Sequence, residues 1–247
     1  MPFPVPHARR RILLALGALL VCVPALISDA SGADDPNRCF GKRPTIFGTQ
    51  GADRIVGTAR SDIILARGGN DHVDGRGGPD LICGDEGVDR VFGGSGNDVI
   101  LGGYDGSIDR LYGGLGLDYI AGDGYLFGGP GADALLTNFG NTGIDHLYGE
   151  AGNDLLRSRS DDGQLLFGGT GRDDLRGGVG DDRLLGGADN DLLFGLPGDD
   201  SLEGGTGADA LFGGTGQDRL QGGPGFDRGL GGAGRDLCIG ACDRIAP

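Results

Sequence analysis

GGSGNDVIL, residues 93–101, decides the reading of this chain because it recurs along most of it. From residue 168 to 239 eight copies follow without a gap, among them GGTGADALF at 204–212 and GGTGQDRLQ at 213–221. Aligned on their aspartates, residues 48–239 divide into 21 units, of which 17 are nonapeptides. All 17 carry Asp at position six: Asp53, Asp62, Asp71, Asp80, Asp89, Asp98, Asp118, Asp133, Asp154, Asp173, Asp182, Asp191, Asp200, Asp209, Asp218, Asp227 and Asp236. A fixed short period dictates an architecture in which each unit stacks only on its neighbours.

Position eight is apolar in nearly every unit, from Ile55, Ile64 and Val73 to Leu202, Leu211 and Leu220, while positions seven and nine vary freely. One inward side chain between two indifferent ones predicts a three-residue strand. Glycine dominates positions one, two and four, so the other six residues turn the chain back. Turn, strand, turn, strand closes one coil in 18 residues, and successive coils build two parallel sheets. The fold class is all-β, a right-handed β-solenoid. At about 4.8 Å per strand, 21 half-coils make a rod on the order of 50 Å long. Gly and Pro together make up 67 of 247 residues, a share typical of disordered chains, but such chains lack a periodic apolar position.

Stacking places the aspartates in two columns, one along each edge of the rod, with carboxylates about 4.8 Å apart. Like charges at that spacing repel unless a cation lies between them. Carboxylates and turn carbonyls are hard oxygen donors, suited to the six to eight flexible contacts of Ca²⁺ better than to the strict octahedron of Mg²⁺.

The pattern Gly-Gly-x-Gly-x-Asp-x-(apolar)-x resembles the RTX, or haemolysin-type, calcium-binding repeat, over roughly three-quarters of the chain. The resemblance implies a parallel β-roll, with several Ca²⁺ ions held between turns of adjacent coils by Asp carboxylates and backbone carbonyls. The metal-ligating set is then Asp53, Asp71, Asp80, Asp89, Asp98, Asp118, Asp133, Asp154, Asp173, Asp182, Asp191, Asp200, Asp209, Asp218, Asp227 and Asp236. Asp62 is set aside as a poor ligand, because Arg60 puts a side chain and a positive charge where glycine is expected.

Outside the repeats the chain divides simply. Residues 1–33 have the layout of a secretory signal peptide: Arg9–Arg11, an apolar run from Ile12 to Val23, and small residues around Ala30 and Ala33. Ordinary Sec export is favoured over a twin-arginine route, and a secreted, extracellular protein is expected. Residues 34–47 and 240–247 read as N- and C-terminal caps or linkers. Cleavage after Ala33 would take the formal charge from −15 to −17, which disfavours nucleic acid and anionic membrane as partners. Of the four remaining cysteines, Cys39–Cys83 and Cys238–Cys242 is the preferred pairing of three. Cys83 falls at outward position nine, where a segment crossing the sheet could reach it.

No stretch outside the repeats is long enough for a catalytic domain, and neither HExxH nor GxSxG occurs. His72 and His146 fall singly at outward strand positions. The chain is therefore expected not to be an enzyme. The leading expectation is a calcium-binding structural roll that folds on meeting extracellular Ca²⁺. The alternative is a surface or matrix adhesin that binds a polymer or a cell surface through outward aromatics such as Phe92, Tyr112, Tyr148, Phe167, Phe194 and Phe212.

The middle of the repeat is irregular in an ordered way. The off-length units are 102–112, 122–127, 137–148 and 158–167, and each is followed by a normal nonapeptide. All four share one parity, which predicts one continuous rod with one regular edge and one remodelled edge. Asp109 and Asp145 then lie in lengthened turns, while Gly124 and Gln164 take the place of an aspartate. Calcium at those two positions is expected to be absent or weak, and the remodelled loops are the expected surface for any partner.

Overall fold

A computed structural model describes residues 37–137 and 143–240. The proposed signal peptide, Cys242 and most of the C-terminal cap lie outside the described residues. Within them the chain forms 22 strands in two 11-stranded sheets, and consecutive strands alternate between the sheets. Every pairing between strands is parallel. One sheet runs from Ile46–Phe47 to Arg228–Ala233, the other from Arg54–Val56 to Leu237–Ile239. Both are uninterrupted through the irregular middle, so the roll is a single rod.

The register follows the aspartate alignment. Ile64 pairs with Ile82, Ile82 with Ile100 and Ile100 with Ile120 in one sheet. Leu126 pairs with Leu147 and Leu147 with Leu166 in the other. These side chains fill the space between the sheets as one continuous core, nearly all fully buried from Ile64 to Leu220. A half-coil thus contributes one inward residue, flanked by partly exposed ones, as in the buried Ile100 between Val99 and Leu101. Gly229 stands opposite Leu211 where the next apolar side chain would be.

Two features depart from the sequence reading. Many strands are longer than three residues: Arg90–Ser95 and Ala210–Thr215 have six, Asp109–Leu115 and Gly124–Pro130 seven. In these coils the parallel ladder continues through the Gly-Gly pair, as Gly94↔Gly114 shows, because the turn backbones of adjacent coils superpose closely enough to bond. The ladder also starts before residue 48, where Ile46–Phe47 pairs with Ile64 and Leu65. The preceding segment crosses the outer face of that sheet, and Cys39 forms a disulfide with Cys83 across a Cα–Cα distance of 5.6 Å. Cys83 is buried as a result, in a small second cluster with Cys39, Leu65 and Leu81. At the far end Cys238 is also disulfide-bonded, while its expected partner Cys242 lies outside the described residues.

Candidate metal centre

Each turn delivers its aspartate just before a strand, so stacking the strands stacks the carboxylates. On the regular edge the backbone N–H of each aspartate donates to Oδ1 of the aspartate one coil further on. Nine such bonds, of 2.8 to 3.0 Å, run from Asp62 through Asp80, Asp98, Asp118, Asp133, Asp154, Asp173, Asp191 and Asp209 to Asp227. The sequence reading assigned the carboxylates to cations alone. Half of each in fact ties one coil to the next, a role that needs an acceptor but no charge. Asn70, Asn97, Asn153 and Asn190, at position five, form a second acceptor ladder of this kind that the sequence reading missed.

The other oxygen has no such partner. Oδ2 is buried and without a hydrogen bond in Asp71, Asp80, Asp89, Asp98, Asp118, Asp133, Asp154, Asp173, Asp182, Asp191, Asp200, Asp209, Asp218 and Asp227. An orphaned buried carboxylate oxygen is costly, so a column of them implies a missing counter-charge. Two of the sixteen expected ligands differ from these fourteen. Asp236 is exposed at the end of the rod. Asp53 Oδ2 already accepts from the backbone and hydroxyl of Thr49.

Asp62 repeats the Asp53 arrangement. Thr58 donates to its Oδ2 from N–H at 2.7 Å and from the hydroxyl at 2.9 Å. The expectation that Asp62 is a poor ligand therefore acquires a different physical basis, in Thr58 rather than Arg60. Position two normally has positive φ, as at Gly94 (φ 112°), and even Arg67, Arg76, Asp85, Glu150 and Leu196 are held there. Thr49 and Thr58 are not. A β-branched residue is a steric outlier at positive φ, so these two turns fold differently and satisfy their own carboxylates.

The space beside the orphaned oxygens is kept open by glycine at position one in every unit but that of Asp71, where Ala66 stands there. A Cβ on Gly93 would lie 2.5 Å from Asp98 Oδ2 and 2.7 Å from the carbonyl oxygen of Gly113, one coil on. At Gly128 the corresponding neighbours are Asp133 Oδ2 at 2.5 Å and the Gly149 carbonyl at 2.9 Å. A carboxylate oxygen and a backbone carbonyl from adjacent coils thus border one cradle, repeated along the edge. Among the described residues no group of three or more His, Cys, Asp or Glu side chains gathers around a single point. A cation in these turns must therefore draw most of its ligands from backbone carbonyls, which suits Ca²⁺ and not a soft or nitrogen-seeking metal.

Without a cation the buried carboxylates resist ionisation. Burial pushes Asp89 up to about 7, opposed by the Asp71 N–H and reinforced by the charges of Asp71, Asp105 and Asp85. Burial likewise raises Asp80, Asp133, Asp173, Asp191 and Asp200 to about 7, and Asp118 and Asp154 to about 6. It carries Asp109 and Asp182 to about 8. With values this close to neutrality the column is only partly ionised at pH 7, and a bound cation would complete its ionisation by displacing the remaining protons.

On the remodelled edge the sequence reading ended the first block at Asp89, but the ladder carries it one coil further, to Asp109. Asp53, Asp71, Asp89 and Asp109 are linked like the regular edge, and so are Asp182, Asp200, Asp218 and Asp236. Between the two blocks the Asp109 N–H turns to the backbone carbonyl of Asp123 at 3.0 Å, and Gly124 stands in register with Asp109. Gly124 donates to Asp145 Oδ1, and Asp145 donates to Oε1 of Gln164, both at 2.6 Å. The column continues, but at Gly124 and Gln164 it carries no charge.

A family model described as the RTX calcium-binding nonapeptide repeat matches residues 47–82, 84–106, 127–165, 167–202, 194–229 and 203–238. Within the repeats the longest stretch it leaves out, 107–126, contains parts of two off-length units. No curated protein matches the chain. With the matched segments spanning well over half of the sequence, and orphaned carboxylates in the turns of a two-sheet parallel β-solenoid, this chain belongs to the RTX calcium-binding repeat family.

Proposed function

We propose that the chain is an exported, non-enzymatic β-roll whose folding is coupled to the uptake of several Ca²⁺ ions outside the cell. The observation that carries this reading is the set of fourteen buried Oδ2 atoms with no partner. They line both edges, and among the described residues no side chain or backbone group hydrogen-bonds to them. The core is one side chain thick, so its burial has to offset the ordering of a glycine-rich backbone, many of whose glycines are held at positive φ. Ion binding supplies the difference, and the bound state becomes the folded state. Low cytosolic calcium would keep such a chain unfolded until export, in line with the signal-peptide layout of residues 1–33.

A calcium titration followed by far-UV circular dichroism tests this. β-signal and compactness should rise together and cooperatively, with half-saturation on the order of 10⁻⁴–10⁻³ M, and Mg²⁺ at equal concentration should not replace Ca²⁺. An unchanged spectrum after chelation would overturn the coupling.

The adhesive reading loses much of its support from the aromatics. Phe92, Tyr112, Phe127, Tyr148 and Phe167 stack on one another at 4.7 to 4.9 Å with interplanar angles of 4 to 9°. Stacked this way, the rings turn their faces to each other and only their edges outward, which leaves little ring face to stack on a sugar. His72 packs tilted against Phe92 and His146 stacks beside Tyr125, so both histidines belong to this packing.

A further inference from the structure

The turn that ends in Gln164 differs from every orphaned aspartate turn. Gln164 is 1% exposed, yet each of its polar groups is used. Oε1 accepts the Asp145 N–H at 2.6 Å, the bond that a carboxylate Oδ1 makes elsewhere. Nε2 donates to two backbone carbonyls, of Asp162 in its own turn at 2.8 Å and of Gly143 in the preceding coil at 2.9 Å. The opposite amide orientation would set a donor against a donor and an oxygen against two carbonyls, so the hydrogen bonding fixes it.

Glutamine is one methylene longer than aspartate, and its terminal group reaches further into the turn. The reach brings a pair of N–H donors between carbonyls of two adjacent coils. A calcium ion at such a place would do the same work, drawing in carbonyl oxygens from both turns. The amide does it without charge, and no orphaned oxygen remains on Gln164, whereas Asp182 in the next coil keeps a bare Oδ2. Carbonyls already engaged by an amide, with no carboxylate on that side chain, are a poor fit for a divalent cation.

We propose that Gln164 is a built-in replacement for a metal ion: its amide closes the junction between the coils of Asp145 and Gln164 and excludes calcium from it. The inference rests on the reading that the orphaned aspartate turns take calcium. It makes Gln164 a specificity-determining residue that divides the remodelled edge, leaving Asp182–Asp236 as a separate block of sites.

The test compares the full-length chain with Gln164→Glu, which keeps the reach and replaces the amide with a carboxylate. Crystals grown in calcium are mapped by anomalous scattering, and ions per chain are counted by native mass spectrometry. In the unsubstituted chain ions should sit along the regular edge, with none between the Gly143 and Asp162 carbonyls. Gln164→Glu should gain about one ion, located there. An ion between those carbonyls in the unsubstituted chain, with others in the aspartate turns, overturns the role of Gln164 alone. A folded Gln164→Glu chain with no added ion does the same. Absence of calcium from every turn overturns the parent reading and this one with it. Should Gln164→Glu fail to fold, the map of the unsubstituted chain still decides.

Discussion

Asp98 and Asp118 lie one coil apart on the regular edge, and the backbone N–H of Asp98 donates to Oδ1 of Asp118 at 2.8 Å while Asp118 Oδ2 is buried without a partner. One carboxylate therefore splits its oxygens between two tasks. The first ties coils together through a neutral hydrogen bond that an amide can also make, as Gln164 does. The second presents charge to a cradle bordered by the carbonyl of the next coil. The proposed calcium dependence rests on the second task alone.

Substituting the aspartates should expose that division. Asp98→Ala and Asp209→Ala, in regular runs, should each lower the calcium content by about one to two ions per chain, since each cradle is bordered by two coils and a proposed ion there would be shared between them. Asp62→Ala should leave the count unchanged, because Thr58 already occupies its Oδ2. Thr58→Gly should free that oxygen and add a site. Calorimetric stoichiometries that fall equally for Asp62→Ala and Asp98→Ala would count against this ranking.

Acid should partly replace calcium. Burial places Asp89, Asp133 and Asp200 at about 7 and Asp109 and Asp182 at about 8 in the metal-free roll. An unfolded aspartate titrates near 3.9. Between about pH 4 and 8 the folded state thus binds more protons than the unfolded one, and metal-free stability falls as pH rises through that window. Chelated protein should show more β-signal at pH 5 than at pH 8. Calcium added near pH 6 should release protons, detectable with an indicator dye. No proton release and no gain of structure at pH 5 would refute the protonated-site picture.

The aromatic ladder should stabilise the rod without touching the ions. Tyr112 stacks between Phe92 and Phe127, both at 4.7 Å. Tyr112→Ala removes two ring contacts and should cost about 1–3 kcal/mol beyond lost burial, at about 0.5–1.5 kcal/mol per pair. Denaturant melts in saturating calcium should report that loss, with the ion count unchanged. A drop in calcium content would show that the two faces of the roll are coupled.

Opening the Cys39–Cys83 disulfide should release the N-terminal segment. The bond closes a loop with a sequence separation of 44, for which chain entropy gives about 4 kcal/mol as an upper figure. Cys39→Ser should lower the melting temperature and expose Leu65 and Leu81, which lie beneath that segment. Hydrogen exchange should quicken at Ile63–Leu65 and Leu81–Cys83, and not at the distant Ala210–Thr215. A uniform change along the rod would contradict a local cap.

The nonapeptide period determined by itself the two parallel sheets, the inward column from Ile64 to Leu220, the placing of aspartates on two edges, and the parity of the remodelled turns around Gly124 and Gln164. It could do so because each residue's axial neighbours in a solenoid sit one coil away, so spacing in sequence is position in space. Tertiary structure alone decided what each carboxylate oxygen meets. Residue type marks Asp53 and Asp98 alike, but Thr49 avoids positive φ and bonds Asp53, while glycine at position two leaves Asp98 Oδ2 bare. The period likewise shows Gln164 as a missing aspartate. Only the fold shows its amide set between the carbonyls of Gly143 and Asp162, because donor and acceptor pairing depends on turn dihedrals and side-chain reach, which a repeat pattern does not encode.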